Sequence, residues 1–351
     1  MDPMSKMALP PELVKAIGEI DEFKGRWETL GNLAPDRLSA LKRIATIESV
    51  GSSTRIEGVK LRDDQIEQLL SGIDITSFRS RDEEEVAGYA ELMELVFESH
   101  AEIPLSENTI RQLHGILLKY SQKDVRHRGH YKTLPNNVEA FNNDGCSVGV
   151  IFETATPFDT PRLMETLVTW TNQAIEEDIH HILLITAVFV VRFLAIHPFQ
   201  DGNGRLSRIL TTLLLLRSGY SYVPYSSLER IVEDSKEDYY RALRNAQATL
   251  DGDESQLIEW IGFFVSALRR QKQVLERKIE QENLMAPLAP LSEKLLRIVR
   301  EHGRTTVREA TAATGASRNT IKDHLVRLVA AGHLVRRGRA RGTWYEKPGS
   351  G

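Results

Sequence analysis

HPFQDGNGRLSR, residues 197–208, joins two strongly apolar segments of the chain. Residues 180–196 are apolar on nearly every side, which is typical of a buried helix. That helix must end before Pro198, because proline disfavours helical geometry in the residue that precedes it. A second, leucine-rich helix is predicted over residues 206–217. The sequence between them is therefore predicted to be a loop that connects two buried helices.

The second half of this loop has the composition of an anion-binding site. Gly202 and Gly204 let a phosphate approach the backbone closely. The N–H groups at the start of the following helix are unpaired and carry partial positive charge. Arg205 and Arg208 are three residues apart, so both guanidinium groups can project from one helical face. Two such arginines favour a polyphosphate over a single carboxylate as the ligand.

The first half of the loop supplies groups that could perform chemistry. Asp201 offers hard oxygen ligands, which suit a Mg²⁺ ion that also contacts phosphates and water. His197 is expected at the end of a rigid helix near the phosphates, where it is a candidate general base. Phe199 is expected to point inward and hold the loop. Alone, a histidine before proline is usually structural, so the functional prediction depends on the combination.

The segment matches, without departure, the signature of the Fic family, H-P-F-x-D/E-G-N-G-R-x-x-R. The similarity extends over about residues 82–250 and includes LHG (113–115), RGHY (128–131) and YYRAL (239–243). The resemblance implies a mainly α fold, with a Fic-type helical core and a small β-hairpin flap. It also implies a protein adenylyltransferase. Such an enzyme uses ATP and Mg²⁺ to attach AMP to a Tyr, Ser or Thr hydroxyl of a target protein or of itself.

The resemblance also implies a role for each residue of the motif. His197 would take the proton of the hydroxyl, and Asp201 would bind Mg²⁺. Arg205 would neutralise the leaving pyrophosphate, and Arg208 the γ-phosphate. The phosphate cradle would consist of Gly202, Asn203 and Gly204. A glycine before Arg205 resembles the AMP-transferring members, because Doc-like kinases have a lysine there. Transfer of another phosphate-linked group, such as phosphocholine, is a further alternative.

Two other regions have family roles. Residues 129–160 are rich in Asn and contain an alternating apolar run, which predicts a β-hairpin with a polar tip. In the family this hairpin is a flap that holds the target segment as an added strand, here residues 129–152. The docking residues would be His130, Tyr131 and Lys132. Tyr239 and Tyr240 are expected to line the adenine pocket, although two helical tyrosines are about as often part of a core.

STRIEG, residues 53–58, is a second informative string. Ser53 and Glu57 share one helical face, and Gly58 is a helix stop. Alone this is an ordinary helix end, but it resembles the family's inhibitory motif, [S/T]-x-x-x-E-[G/N]. The resemblance implies that Glu57 pairs with Arg208 and displaces the γ-phosphate. We therefore expect an autoinhibited enzyme. Some relatives use the same glutamate to remove AMP, so the direction of the reaction stays open.

Charge separates the chain into two parts. The 351 residues have a net charge of −4. Residues 291–351 contain thirteen Lys and Arg against five Asp and Glu, a net +8, so the rest has about −12. Pro287 and Pro290 indicate a boundary near residue 288. The predicted parts are a helical region (1–81) with the inhibitory helix at about 44–58, the Fic core (82–250), an amphipathic connecting helix (251–288) and a C-terminal domain (289–347).

The C-terminal domain resembles a winged helix-turn-helix. Helices are predicted at 292–300, 306–314 and 318–330, and a strand pair after them. The residues expected at DNA are Arg318, Asn319, Lys322, Arg337, Arg339 and Arg341. A winged helix used for protein contacts is the alternative. A DNA-binding transcriptional regulator whose Fic body senses nucleotide is thus a second hypothesis. His197 favours the enzyme, because a pure sensor needs no base.

The remaining features concern compartment and assembly. Cys146, the single cysteine, cannot form an internal disulfide, which favours a reducing cytoplasm. The longest apolar run, residues 181–196, contains Arg192 and is short for a membrane span, so no membrane partner is expected. A homodimer is expected from the family and from apolar surface on residues 256–284. The acidic residues 82–85 are interpreted as the solvated first turn of a helix.

Overall fold

The structure is a computed structural model of the chain. It describes residues 2–4, 7–29, 35–71, 78, 80–141, 147–246, 257–285, 290–330, 334–338 and 343–346. The chain forms two compact units, Met1–Leu275 and Glu276–Gly351. The predicted mainly α fold is confirmed, with two small antiparallel sheets beside the helices. The predicted boundary near residue 288 falls between two helices, whereas the compact units divide inside the preceding helix.

Helices make up most of the first unit. In chain order they are α1 (Pro11–Thr29), α2 (Pro35–Ile56), α3 (Asp63–Ser71), α4 (Arg81–Ser99), α5 (Glu107–Leu117), α6 (Thr160–Glu176), α7 (Ile182–Ile196), α8 (Asn203–Arg217), α9 (Leu228–Asp234), α10 (Lys236–Asn245) and α11 (Leu257–Met285). A short 3₁₀ turn, Val223–Tyr225, precedes α9.

The centre of the first unit is the pair α7 and α8. Both helices are buried on nearly every side, α7 mainly through apolar side chains and α8 with Arg205 and Arg208 among its buried residues. Trp260 of α11 is also buried and donates its indole N–H to the carbonyl of Ala187 at 2.7 Å. The loop predicted between the two helices is present, but α8 begins at Asn203, three residues before the predicted Leu206.

The predicted β-hairpin is present but is shorter than predicted. Strand β1 (Val138–Phe141) pairs antiparallel with β2 (Ser147–Phe152), with irregular register on both sides of the central pairs. The residues from Gly129 to Asn137 form turns and bends instead of strand. The hairpin tip, with Cys146, lies outside the described residues.

The second unit combines helices with a three-stranded sheet. Its elements are the end of α11, then α12 (Pro290–His302), β3 (Arg304–Thr305), α13 (Val307–Thr314), α14 (Arg318–Ala330), β4 (Val335–Arg337) and β5 (Trp344–Glu346). The strand order is β3-β5-β4, and the apolar core includes Leu295, Ile321 and Leu325. Sequence analysis missed β3, which is two residues long. This arrangement is compatible with a winged-helix-like module.

Candidate functional site

His197 ends α7 in a left-handed conformation, with φ 52° and ψ 61°. Its backbone N–H donates to the carbonyl of Phe193 at 2.9 Å, and its ring Nδ1 lies 3.2 Å from the carbonyl of Leu194. A carbonyl oxygen can only accept, so Nδ1 carries the proton of the neutral ring. The lone pair is then on Nε2. This is the tautomer that a general base requires.

The surroundings of His197 favour the neutral ring. Burial lowers the pKa of His197 to about 4, and the nearby Lys132 cation acts in the same direction. A histidine with this pKa is uncharged at pH 7 and can accept a proton. The structure therefore places a neutral imidazole at the end of α7, where the loop begins.

His114 of α5 packs against the loop. Sequence analysis assigned no role to this residue. Its ring is fully buried and stacks on Phe199, with 3.8 Å between ring centroids and 10° between planes. Nδ1 accepts from the backbone N–H of Gly129 at 2.9 Å. Nε2 then donates to the carbonyl of Asp201, also at 2.9 Å. Burial lowers the pKa of His114 to about 4, so this neutral, two-sided arrangement persists at pH 7.

The Asn203 side chain is used within the loop. Its Oδ1 accepts from the backbone N–H of Phe199 at 2.9 Å, and its Nδ2 donates to the carbonyl of the same residue at 2.7 Å. Phe199 is fully buried, as predicted from its place in the loop. The side-chain amide of Asn203 thus fixes the loop. The backbone of the same residue begins α8.

The first turn of α8 has the features of an anion cradle. Gly202 precedes the helix with φ 82°, a left-handed conformation that favours glycine, and no side chain caps the helix start. The first N–H groups of a helix have no partner within it. The partial positive charge at this end adds to the attraction for a phosphate.

Arg205 is almost fully buried and pairs with two carboxylates. Its Nη1 lies 2.9 Å from Oε2 of Glu85, and its Nη2 lies 3.2 Å from Oδ1 of Asp201. Arg81 joins the same two carboxylates from the solvent side, at 2.7 Å from Glu85 and 3.3 Å from Asp201. Four side chains thus form a closed ring in which positive and negative groups alternate. We call it the charge ring.

The interpretation of residues 82–85 as a solvated turn is wrong for Glu85. The side chain of Ser80 accepts from the backbone N–H of Glu83 and caps the start of α4. The acidic first turn follows, as predicted. Glu85 is one turn further and is only 8% exposed. A buried carboxylate needs a cationic partner. Removing one member of a buried ion pair lowers the stability of the fold by about 3–5 kcal/mol. Here Arg205, 120 residues away, is that partner.

Arg208 is buried and contacts the end of α2. Its Nε donates to Oγ of Ser53 at 2.8 Å, and its Nη2 donates both to the Ser53 carbonyl at 2.9 Å and to Oε1 of Glu57 at 2.7 Å. Burial alone would lower the pKa of Arg208, but the carboxylate of Glu57 raises it above the usual range. The structure thus brings together the predicted inhibitory residues and the second motif arginine.

The Glu57 carboxylate lies directly against Gly204. A Cβ added at Gly204 would overlap Oε1 of Glu57 and would lie 3.4 Å from Nη1 of Arg208. Only glycine leaves room for this carboxylate above the first turn of α8. Glu57 therefore occupies space at the anion cradle itself.

The end of α2 is held in place by further contacts. Gly58 has φ 102°, and the N–H of Val59 returns to the carbonyl of Thr54, so the helix stops as predicted. Arg55 binds Glu233 of α9 with two hydrogen bonds, at 2.7 and 3.1 Å. It also binds Asp63 of α3 at 2.8 Å. These contacts fix the orientation of the turn that carries Glu57.

The two predicted adenine-pocket residues differ in exposure. Tyr239 is buried against Trp260 and Phe263, and burial raises its pKa to about 12. Tyr240 is partly buried, and Lys236 lies over its ring. Both tyrosines lie close enough to Arg208 and Glu57 to interact electrostatically. Tyr239 belongs to the aromatic core at the edge of the site.

The three predicted docking residues precede the hairpin and have different environments. His130 is exposed. The hydroxyl of Tyr131 donates to Glu107 at 2.7 Å. Lys132 is buried, and its Nζ donates to Asn136, to Thr154 and to the carbonyl of Ile196 at 2.8–3.0 Å. Burial lowers the pKa of Lys132 to about 8. Lys132 thus ties the hairpin to the end of α7.

The residues that could hold a divalent cation are few. In the described part of the chain, no three His, Cys, Asp or Glu side chains converge as a metal-binding group. Mg²⁺ usually needs only one or two carboxylates when phosphates and water supply the other ligands. Asp201, one-third exposed beside the start of α8, fits that requirement.

The predicted DNA-contacting residues belong to the second unit. Arg318, Asn319 and Lys322 are exposed on α14. Arg337 is exposed and pairs with Glu346 at 3.1 Å. Arg339 and Arg341 lie outside the described residues. None of the helices in the described ranges combines the length and the apolar composition that crossing a membrane requires.

Comparison with known proteins identifies two regions of the chain. Residues 104–215 match the Fic/DOC family, and residues 286–346 match a family described as bacterial protein of unknown function (DUF977). A probable protein adenylyltransferase of Aquifex aeolicus (strain VF5) is 32% identical over 99 residues, 28% of each chain. Protein adenylyltransferase Fic of Drosophila willistoni is 32% identical over 105 residues, 30% of this chain and 19% of the relative. The chain thus matches less than a third of these relatives' length.

Solved structures extend the fold comparison beyond that region. A Fic family protein from Desulfovibrio desulfuricans G20 superposes with a TM-score of 0.60 over 98% of both chains, at 24% identity. A Fic domain containing signaling protein from Bacteroides thetaiotaomicron VPI-5482 gives 0.59 over 73% of this chain and 94% of that chain, at 25% identity. The first likeness concerns the fold alone. Residues 104–215 of this chain thus match the Fic/DOC family, and the solved structures show a shared fold.

Proposed function

We propose that this chain is a protein adenylyltransferase that Glu57 restrains. The observation that carries the proposal is His197, a neutral imidazole with its lone pair on Nε2, next to an uncapped helix start that suits phosphates. The names of the relatives, which match over about 100 residues, support the same activity. Base and cradle together suit attack by a hydroxyl on a nucleotide phosphate.

The proposed reaction transfers one AMP group. The hydroxyl oxygen of a target Tyr, Ser or Thr attacks the α-phosphorus of ATP, and its proton passes to Nε2 of His197. The bond between the α-phosphorus and the oxygen that bridges to the β-phosphate breaks, and pyrophosphate leaves with that electron pair. A Mg²⁺ ion held by Asp201 would neutralise phosphate charge. The first N–H groups of α8 would bind the phosphates.

The pair of Glu57 and Arg208 supports restraint. A carboxylate on Nη2 of Arg208 and a γ-phosphate oxygen would need the same space and the same donors. ATP therefore has to displace Glu57 before its phosphates fit in the productive orientation. The same carboxylate could orient a water for the reverse, AMP-removing reaction, so both directions belong to the proposal.

Intact-mass spectrometry of the purified chain tests the activity. The wild type, Glu57→Gly and Glu57→Gly with His197→Ala are incubated with ATP and Mg²⁺, and pyrophosphate release is measured in parallel. We expect the mass of one or more AMP groups on Glu57→Gly, much less on the wild type and none on the double variant. The proposal would be refuted if Glu57→Gly gained no mass and released no pyrophosphate.

A second function, DNA binding, is proposed for the C-terminal module. It is supported by the +8 charge of residues 291–351 and by the exposed Arg318, Asn319 and Lys322 on one helix. Binding through phosphates weakens steeply with salt. A gel-shift series from low to physiological salt tests it, with Arg318→Ala and Lys322→Ala expected to weaken binding. No complex with any DNA at low salt would refute it.

A further inference from the structure

The charge ring links the motif to α4 through groups that are mostly buried. Arg205 is 2% exposed in its side chain and Glu85 9%, whereas Asp201 is 34% and Arg81 49% exposed. Each carboxylate contacts both arginines, and each arginine contacts both carboxylates. The ring therefore has a buried half, Arg205 and Glu85, whose charges water cannot solvate, and a more exposed half, Asp201 and Arg81.

Loss of the negative charge of Glu85 would change what Asp201 can bind. Arg205 is too buried for water to solvate its charge, so it must keep at least one carboxylate as a partner. If Glu85 were neutral, Asp201 would be the only anion in contact with Arg205. The negative charge of Asp201 would then be balanced by Arg205. The uncompensated positive charge of the two arginines would repel a further cation at Asp201.

We propose that Glu85 is a positioning residue that neutralises Arg205 and thereby leaves Asp201 available to a divalent cation. Arg81 has the opposite effect, because its guanidinium contacts Oδ2 of Asp201 and would compete with such a cation for this carboxylate. The inference rests on the proposed function, in which Asp201 holds Mg²⁺ beside the phosphates. It assigns to α4 the balance of charge at the metal site.

A merely structural role for Glu85 makes a different prediction. Loss of a fold-stabilising pair would weaken nucleotide binding with and without metal alike. The positioning role affects only the part of the affinity that depends on Mg²⁺. The ratio of the two affinities therefore separates the two explanations, and a general folding defect cancels from it.

Calorimetric titration of the full-length chain with ADP provides this ratio. ADP is the probe because it lacks the γ-phosphate with which Glu57 would compete. Each protein is titrated once with excess Mg²⁺ and once with EDTA. The proteins are the wild type, Glu85→Gln, Arg81→Ala and the control Glu84→Gln. Glu84 is on the same turn as Glu85, and among these described residues no hydrogen bond or ion pair joins its side chain to the charge ring.

We expect Mg²⁺ to tighten ADP binding to the wild type and to Glu84→Gln by the same factor. Glu85→Gln should reduce that factor about tenfold or more, a change of about 1.4 kcal/mol. Arg81→Ala should increase it, because one competitor of the metal is removed. Opposite signs for two neighbours on one helix cannot arise from damage to the fold.

The inference is overturned if Glu85→Gln keeps the wild-type factor, if Arg81→Ala lowers it, or if Mg²⁺ does not tighten ADP in the wild type. If Glu85→Gln does not fold, the direction in which Arg81→Ala changes the Mg²⁺ factor decides. The Arg81 side chain is half exposed, so its loss should not disturb the fold. Failure of the proposed function looks different. In that case Glu57→Gly transfers no AMP while the Mg²⁺ factors still change as expected.

Discussion

Oε1 of Glu57 lies 2.7 Å from Nη2 of Arg208, although the two residues are 151 positions apart in the chain. The carboxylate also fills the space above Gly204, at the start of α8. The acid at the end of one helix therefore occupies the position where a phosphate would meet the next helix. Under the proposed function, ATP and Glu57 would therefore compete for Arg208.

Replacement of His197 should remove the reaction but not the binding of nucleotide. In the Glu57→Gly background, His197→Ala should lower the rate of AMP transfer by about 100-fold or more, the usual contribution of a positioned base. ADP affinity should stay within about twofold, because the cradle is made by α8. Rates from labelled ATP and calorimetry check both. His302→Ala, which changes an exposed histidine of the second unit, is the control, and an equal loss there would contradict the assignment.

The pH dependence of the rate should report the low pKa of His197. A base acts in its deprotonated form, and a pKa of about 4 keeps His197 deprotonated throughout the neutral range. For Glu57→Gly, we expect kcat/KM to change little through His197 between pH 8 and pH 5 and to fall as the pH approaches 4. A half-loss near pH 6.5, the value of an ordinary histidine, would mean that burial does not depress this pKa.

Arg55 should act as a latch for the Glu57 turn. Arg55→Ala removes the paired hydrogen bonds to Glu233, so α2 can leave Arg208 more easily. We expect AMP transfer to rise to a level between the wild type and Glu57→Gly, and no further increase when the two changes are combined. Glu233→Gln should have the same effect as Arg55→Ala. The exposed Lys60→Ala is the control, and activation by that change alone would contradict a specific latch.

His114 should make stability depend on pH. Its pKa is about 4 when folded and about 6.5 when unfolded, so the unfolded chain binds more protons between these values. The stabilisation is complete above pH 6.5 and is lost as the pH falls towards 4, with a loss of about 2 kcal/mol at pH 5. Urea unfolding at pH 7 and pH 5 measures this difference.

The matched variant for this prediction is His114→Phe. It keeps the stacking on Phe199 but loses the hydrogen bonds to Gly129 and Asp201, so it should be less stable at pH 7. Its stability should fall less between pH 7 and pH 5 than that of the wild type. An unchanged pH dependence would show that His114 is not the source.

The sequence predicts the parts of the site that are local in the chain. The apolar helices α7 and α8, the loop between them and the shared face of Ser53 and Glu57 all follow from spacing and composition. Glu85 does not, because its local pattern is that of an ordinary first turn and its partner is 120 residues away. His114 is similar, since only tertiary packing places it under Asp201. Charge pairs between distant segments leave no periodic signal in a single sequence.

The competition for Arg208 is tested most directly by comparing ATP and ADP binding to the wild type and to Glu57→Gly. Only ATP has the γ-phosphate that would meet Arg208. Calorimetry in the presence of Mg²⁺, with His197→Ala in both proteins to prevent turnover, should show that Glu57→Gly tightens ATP at least about tenfold, or 1.4 kcal/mol, and leaves ADP unchanged. Equal affinities of the two proteins for ATP, or an equal gain for both nucleotides, would contradict the account.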